Sequence, residues 1–218
     1  MNERPIIFSI EMVKAILDRR KTQTRRIVKP QPEDFEPGEG RWKSPIKCEY
    51  YNPIMVDRYG EEYPGKEVFG FADEREGWVC PYGAPGDRLW VRESYAELDK
   101  NVFCYKADFK EEDQHPKWKP PIFMPRIAAA ILLEITNLRV ERLQDITEED
   151  AIGEGILPIK VDGMIYPQWF DYCKDYKNGY ANPVNSFRSL WNSINIKKGF
   201  GWTTNPWVWV IEFKRIEE

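Results

Sequence analysis

Residues 19 to 29 read RRKTQTRRIVK, six cationic side chains in eleven positions with threonines among them. Lys21 and Thr24 are the pair that could do covalent chemistry. A lysine crowded by Arg19, Arg20, Arg25 and Arg26 has its protonated form disfavoured by like charge, which makes it a better general base than a free lysine. A hydroxyl beside such a base is a nucleophile for acyl transfer. Two plainer readings use the same residues. Cations at a helix C-terminus complement its dipole and face water, and arginines with hydroxyls can clamp a phosphate. All three stay open from this segment alone. A joint role for Lys21 and Thr24 requires a helical turn, because residues three apart on a strand point to opposite faces.

The rest of the composition narrows the classes. The chain has 218 residues, 42% of them hydrophobic, and a net charge of -4. That length suits one domain with insertions, and the charge argues against strong non-specific binding to nucleic acid, which needs many cations on phosphates. Any such contact must be local. No run of 18 apolar residues appears and MNERPIIFSI carries charges where a signal peptide needs its apolar core, so a cytoplasmic protein with no membrane contact is expected. Cys48, Cys80, Cys104 and Cys173 form no C-x-x-C pair and read as reduced thiols. His115, the only histidine, sits in a polar, proline-rich context, which excludes sites needing two histidines. Neither a metal nor a cofactor is implied.

Positioning elements follow from periodicity. Pro5 to Phe8 reads as a strand, and Ser9 as the N-cap of a helix with Ile10, Val13, Ile16 and Leu17 on one face. From Lys29 to about Pro85 the chain is rich in Pro, Gly and acidic residues, an insertion carrying a hairpin or two. RLWVRESY reads as a half-buried strand, with Leu89 and Val91 opposite Trp90 and Arg92. VFCYKA and IAAAILLEITNLRVERL are further strands, the latter placing Leu138 and Val140 opposite Arg139 and Glu141. The proline-spaced DQHPKWKPPIFMPR, holding Trp118 and Arg126, suits a loop over a binding face. Thr147 caps a short helix stopped by Gly153 and Gly155, with Glu154 at its end. Phe187, Leu190, Trp191 and Ile194 mark another helix, and WTTNPWVWVIEFKRI closes the chain as a strand apolar on both faces. The class is α+β, with strands that suggest a small barrel and helices at its mouth.

ILDRRKTQTRR, the Gly86-Asp87 turn, LRVERLQDITEEDAIGEGI and WVWVIEFKRI together resemble an ASCH domain, the RNA-linked relative of the PUA barrel. The likeness is greatest to prophage-encoded members, through CPYGAPGDRLWVRESY, MPR and RVERLQDITEEDA. It covers one domain over 1–218 apart from insertions at about 30–79 and 158–181. The family motif Gly-x-Lys-x-x-Glu-x-Arg corresponds here to Arg19, Lys21, Thr24 and Arg26, so arginine stands for glycine and threonine for glutamate. With arginine at 19, a positive φ there is not expected. A threonine at that position resembles the small amidohydrolases that deacetylate N4-acetylcytidine, and matching their helix to Ile146-Thr147-Glu148 gives Glu154 as the third catalytic residue. The resemblance thus implies Lys21, Thr24 and Glu154 as the catalytic set.

In that chemistry Lys21 takes the proton of Thr24, whose oxygen attacks the acetyl carbonyl, while Glu154 orients the lysine or handles protons; alternatively Glu154 or Lys21 activates water. Arg25 or Arg26 would steady the oxyanion, with Trp118 and Arg126 as further substrate contacts. Glu93 is a competing carboxylate whose plain role is an ion pair with Arg92 or another arginine. Trp90, Trp118, Trp202 and Trp207 could stack on an unpaired base, whereas Trp191 and Trp209 belong to the core. The expected function is metal-free hydrolysis of an acylated nucleoside, with nucleoside or RNA as partner. Its rivals are a non-catalytic RNA-binding module and a phage accessory domain that binds protein.

Overall fold

The closing strand Trp207–Arg215 is apolar on both faces and must be covered on both sides, while Leu132–Arg142 beside it buries Leu133, Ile135, Leu138 and Val140 on one face and carries Arg139 and Glu141 on the other. The structure is a computed structural model that describes residues 1–32, 44–72, 76–109, 116–163, 165–174 and 179–217. Its main sheet contains β1 (Glu3–Ile7), β2 (Gln23–Ile27), β3 (Ile46–Lys47), β4 (Arg88–Arg92), β5 (Leu132–Arg142) and β6 (Trp207–Arg215). The order is β1-β4-β5-β6-β2, with β3 also paired to β5. The β1–β4 pair is parallel and the others are antiparallel. The protein is thus mixed α+β, mostly strands. Among the described residues no ladder joins β1 to β2, so no closed barrel forms. One side chain spans that gap: Arg26, on β2, donates to the carbonyl of Ile7, on β1, at 2.7 Å.

Helices cover the two faces of the sheet rather than one mouth. Helix α1 (Ile10–Leu17) places Val13 and Ile16 in the cluster with Trp209, Ile211 and Phe213. Helices α2 (Glu148–Gly153) and α3 (Pro183–Asn195) cover the opposite face, where Ala151, Phe187 and Trp191 meet Val208 and Val210. The odd and even residues of β6 therefore feed different cores. Strand β4 differs from the half-buried expectation: Leu89, Trp90 and Val91 are all buried. No helix among the described residues is long and apolar enough to cross a membrane.

The segment after β2 is tied into the main core. A three-stranded antiparallel sheet of Glu49–Tyr51, Val68–Ala72 and Gly77–Val79 carries Phe71 and Trp78, whose rings stack at 5.0 Å, and Phe71 meets Trp209 at 5.4 Å. The hairpin Ile54–Val56 with Glu62–Pro64 is exposed throughout. The later segment forms a hairpin of Pro158–Ile159 with Gln168–Trp169. Parts of both segments, and His115, lie outside the described residues. The four cysteines are free thiols, and burial pushes Cys48 up to about 12 and Cys80 up to about 11.

The turn after α1 departs from expectation. Helix α1 ends at Leu17, and Arg19 adopts φ of +59°, the left-handed conformation that its side chain disfavours. Arginine is accommodated because its side chain runs out into solvent, where it pairs with Glu217. The helix therefore does not continue to Thr24, which lies on β2. Replacing Arg19 by glycine should relieve the strain, partly offset by glycine's larger unfolded-state entropy. We expect R19G to raise stability by about 0.5–1 kcal/mol, read from urea unfolding; a loss of stability would show that the turn is not strained.

Candidate active site

The turn that ends α1 aims Lys21 into the protein. The carbonyl of Ala15 accepts the N–H groups of both Arg20 and Lys21, at 2.8 and 2.9 Å, which folds the chain back against the helix. On the other side, Thr147 caps α2 by accepting from the Asp150 N–H at 3.1 Å, and the helix ends at Glu154. Lys21 and Glu154 form a single antiparallel bridge, supported by the Thr22 N–H donating to the Gly153 carbonyl at 2.8 Å. Gly155 makes this approach possible. Its φ is +83°, and a Cβ there would stand 2.7 Å from that of Lys21 and 2.9 Å from that of Ala15.

This bridge brings the amine and carboxylate together out of water. Lys21 Nζ donates to Glu154 Oε2 at 2.8 Å and to the Glu154 carbonyl at 2.7 Å, and the two side chains are 0% and 3% exposed. Burial pulls the Lys21 pKa below its ordinary value, with Glu154 opposing and Arg26 and Arg25 adding to the fall. Glu154 thus takes two of the hydrogen bonds the amine can donate, one through its carboxylate and one through its carbonyl.

Arg25, expected as a substrate contact, is bound by carboxylates on its inner side and also lines the cavity beside this cluster. Its Nη1 donates to Glu154 Oε1 at 3.2 Å, its Nε and Nη2 to Glu141, and Nη2 also to Asp150 at 2.9 Å. With that side chain 0% exposed and four of these bonds made, Arg25 holds Glu154 from behind. Asp150 is further bound by Gln23 and Arg139, and Arg139 pairs with Glu141 and Glu212. The positive charge of Arg25 and Arg139 and the hydrogen bond from Gln23 keep the Asp150 carboxyl below its ordinary pKa despite its burial.

A cavity of about 400 Å³ lies against this cluster. Thr24, Arg25, Arg26 and Glu154 line it, with Tyr82, Asn195 and Lys198. It runs along the free edge of β2. The Phe213 N–H bonds the Thr22 carbonyl and the Val28 N–H bonds that of Trp207, so in the antiparallel register Thr24 and Arg26 turn their main-chain groups toward β6. Those of Arg25 and Ile27 point away, along the cavity side. Arg26 lies over the Phe8 ring at 5.1 Å and has a buried Nε with no hydrogen-bond partner.

The other expected contacts lie elsewhere. Trp118 packs edge-on against Phe109 at 5.1 Å, and Arg126 pairs with Glu3 at 2.7 Å; neither lines the cavity. Trp90 and Trp207 are buried, each under a cation, Arg92 at 4.5 Å and Arg142 at 4.3 Å, so neither ring is open to a base. Sequence reasoning missed the Glu141, Asp150 and Gln23 shell. The signal was the alternation that sets Arg139 and Glu141 on one face of β5, but their partner on β2 is more than a hundred residues away.

Glu93 is buried at 3% exposure and, among the described residues, pairs with no arginine; Arg92 lies on Trp90 instead. Burial, with the nearby Asp108, pushes its carboxyl up to about 7. Because the folded value is raised, its contribution is intact below the unfolded value and is lost as pH rises through about 7. Glu93→Gln should therefore add about 2 kcal/mol at pH 8, allowing for partial screening, and little at pH 4. Equal thermal shifts at both pH values would refute this. No family model matches the chain, and no curated protein or solved structure matches it significantly.

Proposed function

We propose that the protein is an amidohydrolase acting on an acylated nucleoside or base, most concretely N4-acetylcytidine. The observation that carries this reading is the buried Lys21–Glu154 pair, whose carboxylate partner Glu154 lines a cavity that Thr24 also lines. An isolated buried ion pair is a weak stabiliser, since desolvation offsets the attraction. A buried lysine with a lowered pKa, one residue contact behind a cavity wall formed by Glu154, is instead suited to base chemistry.

Although no helical turn joins them, Lys21 precedes β2 and its Nζ lies 5.7 Å from the Phe8 ring that Arg26, on the Thr24 face of β2, also covers. In this reading the acyl carbonyl lies over Thr24, whose hydroxyl gives its proton to Lys21 in its neutral form as the oxygen bonds to the acyl carbon. The amide C–N bond breaks, the cytosine nitrogen keeps its electron pair and takes a proton, and water then releases acetate from the threonine ester. Glu154, fixed by Arg25, holds Lys21 in place through its carboxylate and carbonyl. Arg26, with its unpartnered Nε, is the cation placed to face the developing oxyanion. The main-chain N–H and C=O groups of Arg25 and Ile27 supply a donor and acceptor row for a base edge. The sheet would correspond to the PUA-like barrel of an ASCH domain, with Arg26 and Ile7 joining its ends in place of a ladder. Of the tryptophans expected to stack on a base, Trp90 and Trp207 are buried and Trp118 and Trp202 do not line the cavity, which makes a base-stacking RNA module the less favoured use of it.

Incubation with N4-acetylcytidine should yield cytidine and acetate in equal amounts. Lys21→Ala and Thr24→Val should each lower kcat/KM by about 10²–10⁴-fold, while Arg126→Ala leaves it unchanged. The rate should rise with pH through a value below the ordinary 10.5 of lysine, because the base must be neutral. No cytidine at high enzyme concentration, with folded protein confirmed by circular dichroism, would overturn the reading.

A further inference from the structure

We propose that a second cavity beside the first is the acyl chamber of the same site, and that the natural substrate carries an apolar acyl group much larger than acetyl. The inference rests on the amidohydrolase reading above. The second cavity measures about 530 Å³ and shares Met12, Glu154, Leu190 and Ile194 with the first. Glu154 therefore stands between two spaces, and an amide beside it would have its amine side in one and its acyl side in the other.

The two spaces differ in character. The first is lined by Arg26, Lys29, Asn195 and Lys198 among apolar residues, suited to a polar base and sugar. The second has Leu157, Phe170 and Tyr172 with the shared Met12, Leu190 and Ile194 as its apolar walls. The charged Glu11, Lys14, Arg20 and Lys174 also line it. An acetyl group presents one methyl, whereas a cavity of this size falls in the range of about 300–1,000 Å³ that takes a whole small ligand.

These walls are fixed in place. The Leu157 N–H donates to the Tyr172 hydroxyl at 3.0 Å, and the Phe170 and Tyr172 rings meet edge-on at 5.0 Å. Ser186 and Ser189 of α3 bind the same segment, Ser186 Oγ donating to the Phe170 carbonyl at 2.6 Å and Ser189 Oγ accepting from the Tyr172 N–H at 2.9 Å. A preformed apolar wall loses little entropy on binding. The reaction balances as before: water's oxygen ends on the acyl carbon, the C–N bond breaks, and the products are cytidine and a free carboxylic acid with an apolar tail.

The test compares N4-acetyl-, N4-hexanoyl- and N4-benzoylcytidine on the full-length protein and on Leu157→Trp, which fills the chamber. We expect kcat/KM for the two larger compounds to exceed that for acetyl by about tenfold or more, and the ratio to fall to about one in the variant, whose folding is checked by its melting temperature. Equal kcat/KM for all three compounds in the wild type, or a ratio untouched by the substitution, would overturn the chamber while leaving the hydrolysis intact. If none of the three is hydrolysed, the reaction itself falls, and calorimetric binding decides the chamber. Tighter binding of the benzoyl compound, lost in Leu157→Trp, sustains it; equal or absent binding removes it.

Discussion

The contact on which the site depends is the one between Lys21 and Glu154, made without water. Each would be costly to bury alone. Together they also need Arg25, because Glu154 has two oxygens and Lys21 satisfies only one. Arg25 in turn needs Glu141 and Asp150, and Asp150 needs the start of α2 to stand where it does. Strands β2 and β5, helix α2 and the turn after α1 are thus bound to one electrostatic centre. Such a centre adds little net stability but penalises any packing that separates its members.

Cations are used in two ways in this chain. Arg25 and Arg139 are spent on carboxylates, whereas Arg26, Arg92 and Arg142 lie over aromatic rings. The second use lets the planar guanidinium cover apolar surface while its N–H groups seek partners at the rim. In this way Arg92 and Arg142 help keep Trp90 and Trp207 out of reach of solvent.

The elements were legible wherever a local rule governed them. Ser9 and Thr147 cap helices because a hydroxyl there satisfies an orphan N–H, and β6 divides its residues between two cores by simple alternation. The Lys21–Glu154 contact itself was reached through a resemblance in sequence, not through periodicity. What local rules could not reach was the end of α1. A helical turn was required for Lys21 and Thr24 to act together, yet the chain uses a left-handed Arg19, which no propensity favours, to leave the helix and start a strand. The carboxylate partners of Arg25 were out of reach for a related reason: a run of cations gives no hint of which one is claimed by carboxylates that arrive from β5 and α2. The linear strand order also lay beyond reach, since whether a sheet closes depends on the pairing of its outermost strands.

The open side of β2 has a consequence for the protein between encounters with a ligand. A strand whose outer amides and carbonyls lack partners is a template onto which another chain can add. Here the upstream end of that side is stopped by the Lys21–Glu154 bridge and the Thr22–Gly153 hydrogen bond, so growth along it meets a covalent neighbour within one turn of chain. The Lys21–Glu154 bridge therefore limits the length of edge a foreign strand could occupy.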